Sequence, residues 1–418
     1  MNDPRGTAVS PRHARFFEGF EPPPDTGPDR RLTHRQRAAV EAATAAVHAY
    51  RETVGRVWAR RGVGPVQRRL GGRPGHVIRA LGHARETHGG HRLPEAQMRA
   101  FEATGVVGPI PFLARDEALD LGVWVRELHG RDWDGNCAFG PDVHRAFQRS
   151  GMMADIVHSG QYQALFQPRL WSLLHRPEVT DPLSSLMGDD LICWRQQFFD
   201  KPPGAEGTFW HQASKFRIVS RKERLRPVEG SGLNPAMIQY TLWIALEDVD
   251  IENGALRMAP ATFDDDRLER LGELAVDRPL EALASLPADR VRDTIELMLH
   301  GTDEFEKGKA LLGWALSQCP DLFAGAELTS YPMRAGEGLI FTSLNLHGSH
   351  RNGTDRGRLA LAARVVGPQV AVYEGWDRDT YITPVGRIRH PIDGLECIQM
   401  AGGNVHPGNR VASGVYPG

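Results

Sequence analysis

With 418 residues, 41% hydrophobic and 24% charged, and a formal net charge of -2, the chain is long enough to bury a large core, and wholesale disorder is excluded. No stretch approaches the ~20 uninterrupted apolar residues of a membrane span. The start MNDPRGTAVSPRHARFFEGF has neither the basic head nor the apolar core of a secretory signal, so a cytoplasmic protein is expected. Cys137, Cys193, Cys319 and Cys397 are far apart and form no CxxC pair, which argues against a zinc site or a disulfide framework and predicts reduced, packed thiols.

Near neutrality hides an asymmetry. Residues 1–95 hold 17 arginines, no lysines and 9 acidic residues, about +8 in all, so the remainder is acidic. A positive end attracts phosphates, nucleic acid or an acidic partner protein; a solvated Arg-rich extension is the plainer alternative.

In chain order, residues 1–31, with EPPPDTGPD at 21–29, read as a flexible arm or extended segment. Thr33 can cap a helix over 34–61, stopped by Gly62 and Gly64, and glycines punctuate the stretch up to 90. Pro94 then precedes a helical start, EAQMRAFEATG, which divides the chain into a partly helical extension over 1–95 and a main domain over 96–418. VVGPIPFL, a helix around 115–129 and helical segments near 142–187 follow. From residue 190 the texture changes to short strand-like runs: LICWRQQFF, GTFWHQASKF, MIQYTLWIAL, GALRMAP, EGLIFTSLNLHG and RLALAARVV, separated by turns such as ENG and HRNGTDRG. Such spacing predicts an antiparallel sandwich or barrel, mainly β with flanking α. A helical insertion over 264–323 is expected to cover one mouth of it.

One constellation points to chemistry. In TFWHQA (208–213), His211 and Ala213 share a strand face, because positions i and i+2 point to the same side. A His-x-carboxylate pair with a distant histidine is the ligand set of non-haem Fe(II) oxygenases, and here the carboxylate position holds alanine. His347, taken to end the apolar strand EGLIFTSLNLHG, is the candidate second histidine; His350, among turn residues, is its competitor. Eleven residues past His347, Arg358 opens another strand, where a guanidinium can clamp a keto-diacid carboxylate bidentately.

These segments, from LICWRQQFFDKPPGAEGTFWHQASKF through TLWIALEDVDIENGALRMAP to GEGLIFTSLNLHGSHRNGTDRGRLALAARVV, resemble the phytanoyl-CoA dioxygenase superfamily, and within it the aliphatic halogenases of the syringomycin type. The resemblance spans roughly 97–410. It implies a double-stranded β-helix, a jelly-roll core, with Fe(II), 2-oxoglutarate, O2 and chloride as cofactors. His211 and His347 match the metal ligands, Arg358 the 2-oxoglutarate clamp, and Thr208 a second contact to it. Phe216, Thr241, Trp243 and Ser343 match residues around the halide and cosubstrate, and Arg364 an arginine near the chloride. For Phe216 and Trp243, ordinary core packing is an equal reading. Ile218 departs from the family, which has a hydrogen-bonding Asn there.

The resemblance gives Ala213 a meaning: losing an aspartate ligand removes one negative charge and one bond, and a chloride ion restores both. The implied reaction is chlorination of an unactivated C–H bond through a ferryl chloride. The implied substrate is an aminoacyl group on an acidic carrier protein, which the basic N-terminal region would dock. The alternatives are a free small molecule such as a nucleotide, a hydroxylase, or an inactive binding homologue. Neither a nucleic-acid polymer nor a membrane is an expected partner.

Overall fold

The computed structural model describes residues 90–130, 162–205, 207–208, 224–233, 237–263, 288–289, 328–383, 386–391 and 396–416, together with the backbone of 19–21. Helix α1 (Glu95–Thr104) starts after Pro94 as the sequence predicts, and ends where Gly105 turns left-handed at φ 70°. A Cβ at Gly105 would lie 2.5 Å from Phe263 and Thr342 atoms, so glycine is required there twice over. Helix α2 (Arg115–Gly130) matches the expected helix, and α3 (Pro168–Leu174) and α4 (Pro177–Met187) each begin on proline, whose missing N–H costs nothing in a first turn.

The strands are antiparallel. The larger sheet has the order β14 (Ile398–Ala401), β3 (Leu191–Lys201), β10 (Arg358–Val366), β5 (Tyr240–Ala245), β8 (Glu337–Thr342) and β2 (Val106–Pro111). Pro109 in β2 is tolerated because β2 is an edge. A smaller sheet has the order β7 (Thr329–Tyr331), β6 (Leu256–Ala259), β9 (Leu346–Ser349). Two accessory groups complete the set: β11 (Val370–Val372) with β4 (Leu225–Pro227), and β1 (Gly19–Glu21) with β13 (Gly386–Pro391) and β12 (Arg378–Thr383). Residues 19–21 of the N-terminal segment thus pair with β13 near the other end of the chain.

The larger sheet separates two cores. On its outer face the helices pack, with Phe101 of α1 edge-on to Tyr240 at 5.0 Å; emptying such a site as Phe101→Ala costs about 3–5 kcal/mol. On its inner face Trp243, Leu339 and Phe341 meet Leu256, Met258 and Tyr331 of the smaller sheet. This is the sandwich of a jelly roll, a double-stranded β-helix with flanking helices.

One strand expectation needs correction. EGLIFTSLNLHG is not a single strand: β8 ends at Thr342, a turn follows, and β9 resumes at Leu346 in the other sheet. The turn is held by Asn345, whose side-chain amide donates to the Thr104 carbonyl at 2.9 Å. His347 therefore lies inside β9 rather than at the end of the apolar run. Cys193 and Cys397 are buried free thiols as expected, and burial pushes Cys193 up to about 12. Among the described residues no helix is long and apolar enough to cross a membrane. The predicted helix over 34–61 lies outside the described residues, as does all of the insertion 264–323 except residues 288–289.

Candidate active site

β10 is the spine of the site, with a strand on either side. Alternation places Arg358, Ala360, Ala362 and Arg364 on one face. On β3 they stand opposite Lys201, Phe199, Gln197 and Arg195, respectively. On β5, Ala245, Trp243 and Thr241 stand opposite Ala360, Ala362 and Arg364; on β8, Leu339 stands opposite Trp243 and Phe341 opposite Thr241. This face looks into the barrel. From the smaller sheet, His347 stands opposite Met258, and its ring meets Phe341 edge-on at 4.9 Å.

Arg358 and Arg364 are six residues apart on β10, about 20 Å along a strand. Arg358 closes part of that gap by turning inward, its guanidinium carbon 5.5 Å from the centre of the Trp243 ring. The small side chains of Ala245, Ala360 and Ala362 on the same face are all fully buried. One of its terminal nitrogens donates a long 3.5 Å bond to the Phe199 carbonyl, and its buried Nε has no partner. Burial pulls Arg358 down to about 10, against Asp200 and Glu247, so it stays cationic at neutral pH. Those carboxylates lie behind it: Arg126 of α2 holds Asp200 at 2.8 Å and Glu247 at 2.9 Å, and Glu247 accepts the Leu359 N–H at 2.8 Å.

At the other end Arg364 donates to the Thr241 hydroxyl at 2.8 Å, and its buried Nε likewise has no partner. Burial brings it down to about 9, with the facing Arg195 pushing the same way. Two buried arginines thus stand directly opposed on paired strands, like charges across the ladder.

His347 is buried, and its Nδ1 lies 2.8 Å from the Asn345 carbonyl. That contact fixes Nδ1 as the N–H, which leaves the lone pair on Nε2, the tautomer a metal-binding imidazole uses. His350, the competitor, instead sets its Nε2 2.8 Å from the Ser330 hydroxyl, and burial, with Arg257 and Lys201, lowers its pKa. Thr208 runs beside β9: its N–H donates to Ser349 Oγ at 3.1 Å, and Ser349 Oγ donates to its hydroxyl at 3.0 Å. Gly207 permits the approach, since a Cβ there would stand 2.6 Å from the Ser349 carbonyl oxygen.

The structure thus brings His347, Arg358, Arg364, Thr241 and Trp243 onto one interior, with Trp243 both packed in the core and lying under Arg358. Ser343 sits past the Phe341 row, donating to the Gln239 carbonyl at 2.9 Å and accepting from the Gln239 amide at 2.6 Å. His211, Ala213, Phe216 and Ile218 lie outside the described residues. Among those described, no three His, Cys, Asp or Glu side chains gather around a metal position. Arg195, Gln197 and Lys201 are not among the residues the sequence singles out, although the i, i+2 rule applied to CWRQQFFDK puts all three on the face of Phe199.

The model of the phytanoyl-CoA dioxygenase (PhyH) family matches residues 143–360, just over half of the chain. The chain belongs to the phytanoyl-CoA dioxygenase family. Among solved structures, this family member is similar to CytC3 with Fe(II) and alpha-ketoglutarate, at 22% identity over 78% of this chain and 95% of that one, TM-score 0.49. It is also similar to the non-heme alpha ketoglutarate dependent carbocyclase SnoK from nogalamycin biosynthesis, at 17% identity over 68% and 87%, TM-score 0.42. A third is EctD from S. alaskensis with 2-oxoglutarate and 5-hydroxyectoine, at 14% identity over 83% and 97%, TM-score 0.44. No curated protein matches the chain.

Proposed function

We propose that this phytanoyl-CoA dioxygenase family member is a non-haem Fe(II)- and 2-oxoglutarate-dependent halogenase that uses O2 and chloride to chlorinate an unactivated aliphatic C–H bond. One observation carries the reading: His347 and Arg358 are present and buried in the barrel, while the position two past His211, where a ligand carboxylate belongs, holds Ala213.

The donor set fits the cofactors. His347, with its lone pair on Nε2, and His211 would hold Fe(II). Arg358, whose buried Nε lacks a partner, would take the distal carboxylate of 2-oxoglutarate, with Thr208 as a second contact. When bound, the iron and 2-oxoglutarate supply an oxidant able to remove hydrogen from an aliphatic carbon and, beside a halide, to return halogen.

The chain's own residues set the conditions for that chemistry. Asn345 orients the His347 ring through the Nδ1 contact, and Trp243 supports the Arg358 guanidinium. Ala213 carries neither charge nor donor atom, so an extra anion fits beside it. Arg364, a buried cation that faces no carboxylate among the described residues, favours that anion electrostatically. Ile218 donates no hydrogen bond, so halide binding would lean on the arginine and on Thr241.

In this reading the Arg-rich segment 1–95 receives an acidic carrier protein bearing an aminoacyl substrate. The test incubates iron-loaded protein with 2-oxoglutarate, chloride, O2 and candidate substrates, with and without an aminoacylated carrier, and reads product mass. A chlorine isotope doublet is expected, falling roughly 100-fold or more in Ala213→Asp, since even outer-shell changes at metal sites cost 10–100-fold. Undiminished chlorination by Ala213→Asp would overturn the halide assignment, and turnover of a free compound would remove the carrier.

A further inference from the structure

Behind Arg358 stands a second arginine, on a helix outside the barrel. Helix α2 packs on the outer face of the larger sheet through Ala118, Leu121 and Val125. Its approach to the strand ends is close. A Cβ at Gly122 would stand 3.0 Å from the Leu246 carbonyl oxygen, and one at Gly357, the residue before Arg358, would stand 2.9 Å from a terminal nitrogen of Arg126. The Leu246 N–H donates to the Leu359 carbonyl at 2.9 Å, so the backbone beside Glu247 and the backbone beside Arg358 are tied together at the point Arg126 reaches.

Arg126 uses its whole guanidinium there. Nη1 pairs with Asp200 at 2.8 Å, Nη2 donates to both oxygens of Glu247 at 2.9 Å, and Nε donates to Glu247 at 3.3 Å. The Asp200 side chain is entirely buried, and Asp200 stands opposite Leu359 in the ladder of β3 with β10. Asp200 and Glu247 both act on Arg358, and the cations that act on Asp200 are Arg126 and Arg358. Two carboxylates are thus shared between two guanidinia, one on the outer helix and one that lies over Trp243 in the interior. A buried carboxylate that loses one cation turns to the other. A guanidinium drawn back toward two carboxylates attracts an incoming anion less.

We propose that Arg126 is a positioning residue for 2-oxoglutarate: by holding Asp200 and Glu247 from the helix side, it keeps the Arg358 guanidinium available to the distal carboxylate of the cosubstrate. This role rests on Arg358 being the clamp, as in the reading above. Its signature is a sign. Removing Arg126 shifts the cluster by one negative charge and weakens anion binding, whereas neutralising Asp200 shifts it by one positive charge and tightens binding. A residue that only supports the fold would weaken binding in both cases.

2-Oxoglutarate affinity is measured by calorimetry on the full chain loaded with Fe(II) in the absence of oxygen, at about pH 8, above the Asp200 titration. Arg126→Met is expected to bind roughly tenfold or more weakly, as for a buried charge pair that loses one partner. Asp200→Asn is expected to bind about threefold more tightly, the size of a single charge change that is partly screened. The double variant should return close to wild type. Unchanged affinity in Arg126→Met, with Arg358→Gln weakened, overturns the inference and leaves the clamp standing; unchanged affinity in Arg358→Gln removes the clamp and the inference with it. If Arg126→Met does not fold, Asp200→Asn decides: tighter binding supports the role, and unchanged or weaker binding overturns it. None of these outcomes depends on which atom is transferred to the substrate, so a failure of chlorination alone counts only against the halogenase reading.

Discussion

The two ends of β10 carry the same residue in opposite electrical settings. Arg358 has Asp200 and Glu247 behind the sheet, themselves held by Arg126, whereas Arg364 faces another arginine and a neutral threonine. Both guanidinia are buried, and both leave Nε without a partner. Burying a cation is costly unless a negative charge answers it. At Arg358 the protein supplies part of that answer from behind, through Asp200 and Glu247. At Arg364 none of the described residues supplies one. On the halogenase reading, the asymmetry would suit two anions of different kinds, one clamped at Arg358 and one drawn toward Arg364.

Breaking the Arg358 end gives the largest effect. Arg358→Gln keeps hydrogen bonding but removes the charge, and 2-oxoglutarate affinity measured by calorimetry is expected to fall by about 2–5 kcal/mol, the usual cost of truncating a buried charge pair. Unchanged affinity would move the clamp elsewhere.

The carboxylate behind Arg358 sharpens the contrast through pH. Burial raises Asp200 from 3.8 to about 6 despite Arg126. The native state therefore holds this proton over a range where the unfolded chain has released it, so the stability it contributes is present below about pH 4 and lost as pH rises through about 6. At about 1.4 kcal/mol per pKa unit, the loss is on the order of 3 kcal/mol. Denaturation at pH 4 and pH 7 should show wild type gaining on Asp200→Asn at the lower pH; a constant difference would refute the raised pKa.

At the other end, Arg364→Met replaces a buried cation opposed by Arg195 with an apolar chain of similar reach. Ligand-free stability should rise by about 1–3 kcal/mol, while any chloride-dependent increase in Tm disappears. A fall in stability with chloride dependence intact would show that another group holds the anion. The smallest effect is at Ser349→Ala, which removes two bonds to Thr208 and should cost about 1–2 kcal/mol, with KM for 2-oxoglutarate raised more than kcat is lowered.

Much of the site was legible in the sequence because its signals are local. LICWRQQFF and RLALAARVV are strand-length apolar runs, and β3 and β10 follow them closely. Within β10, period two predicts that Arg358 and Arg364 share a face, and the structure shows it. The preference for His347 over His350 was also local in origin, a histidine in an apolar run against one among turn residues. What escaped was non-local. EGLIFTSLNLHG reads as one strand because an apolar run looks the same whether it continues or folds over. The break at Ser343–Asn345 depends on a carbonyl from α1, 241 residues away in sequence, that captures Asn345. Arg195 was missed for the same reason, since its opposition to Arg364 exists only in the register of β3 against β10.

The sequence by itself determined which chemistry-bearing residues exist and which faces of their strands they occupy, because alternation along a strand is a property of the chain alone. It also presented Ala213 two residues past His211, where a His-x-carboxylate pair would carry its acid. Only the tertiary structure decided that His347 turns toward Phe341 from a second sheet, that Arg358 lies over the Trp243 ring, and that Arg364 meets a like charge. Those facts depend on pairing between distant segments, and the resulting electrostatics come from burial, which no single stretch of sequence contains.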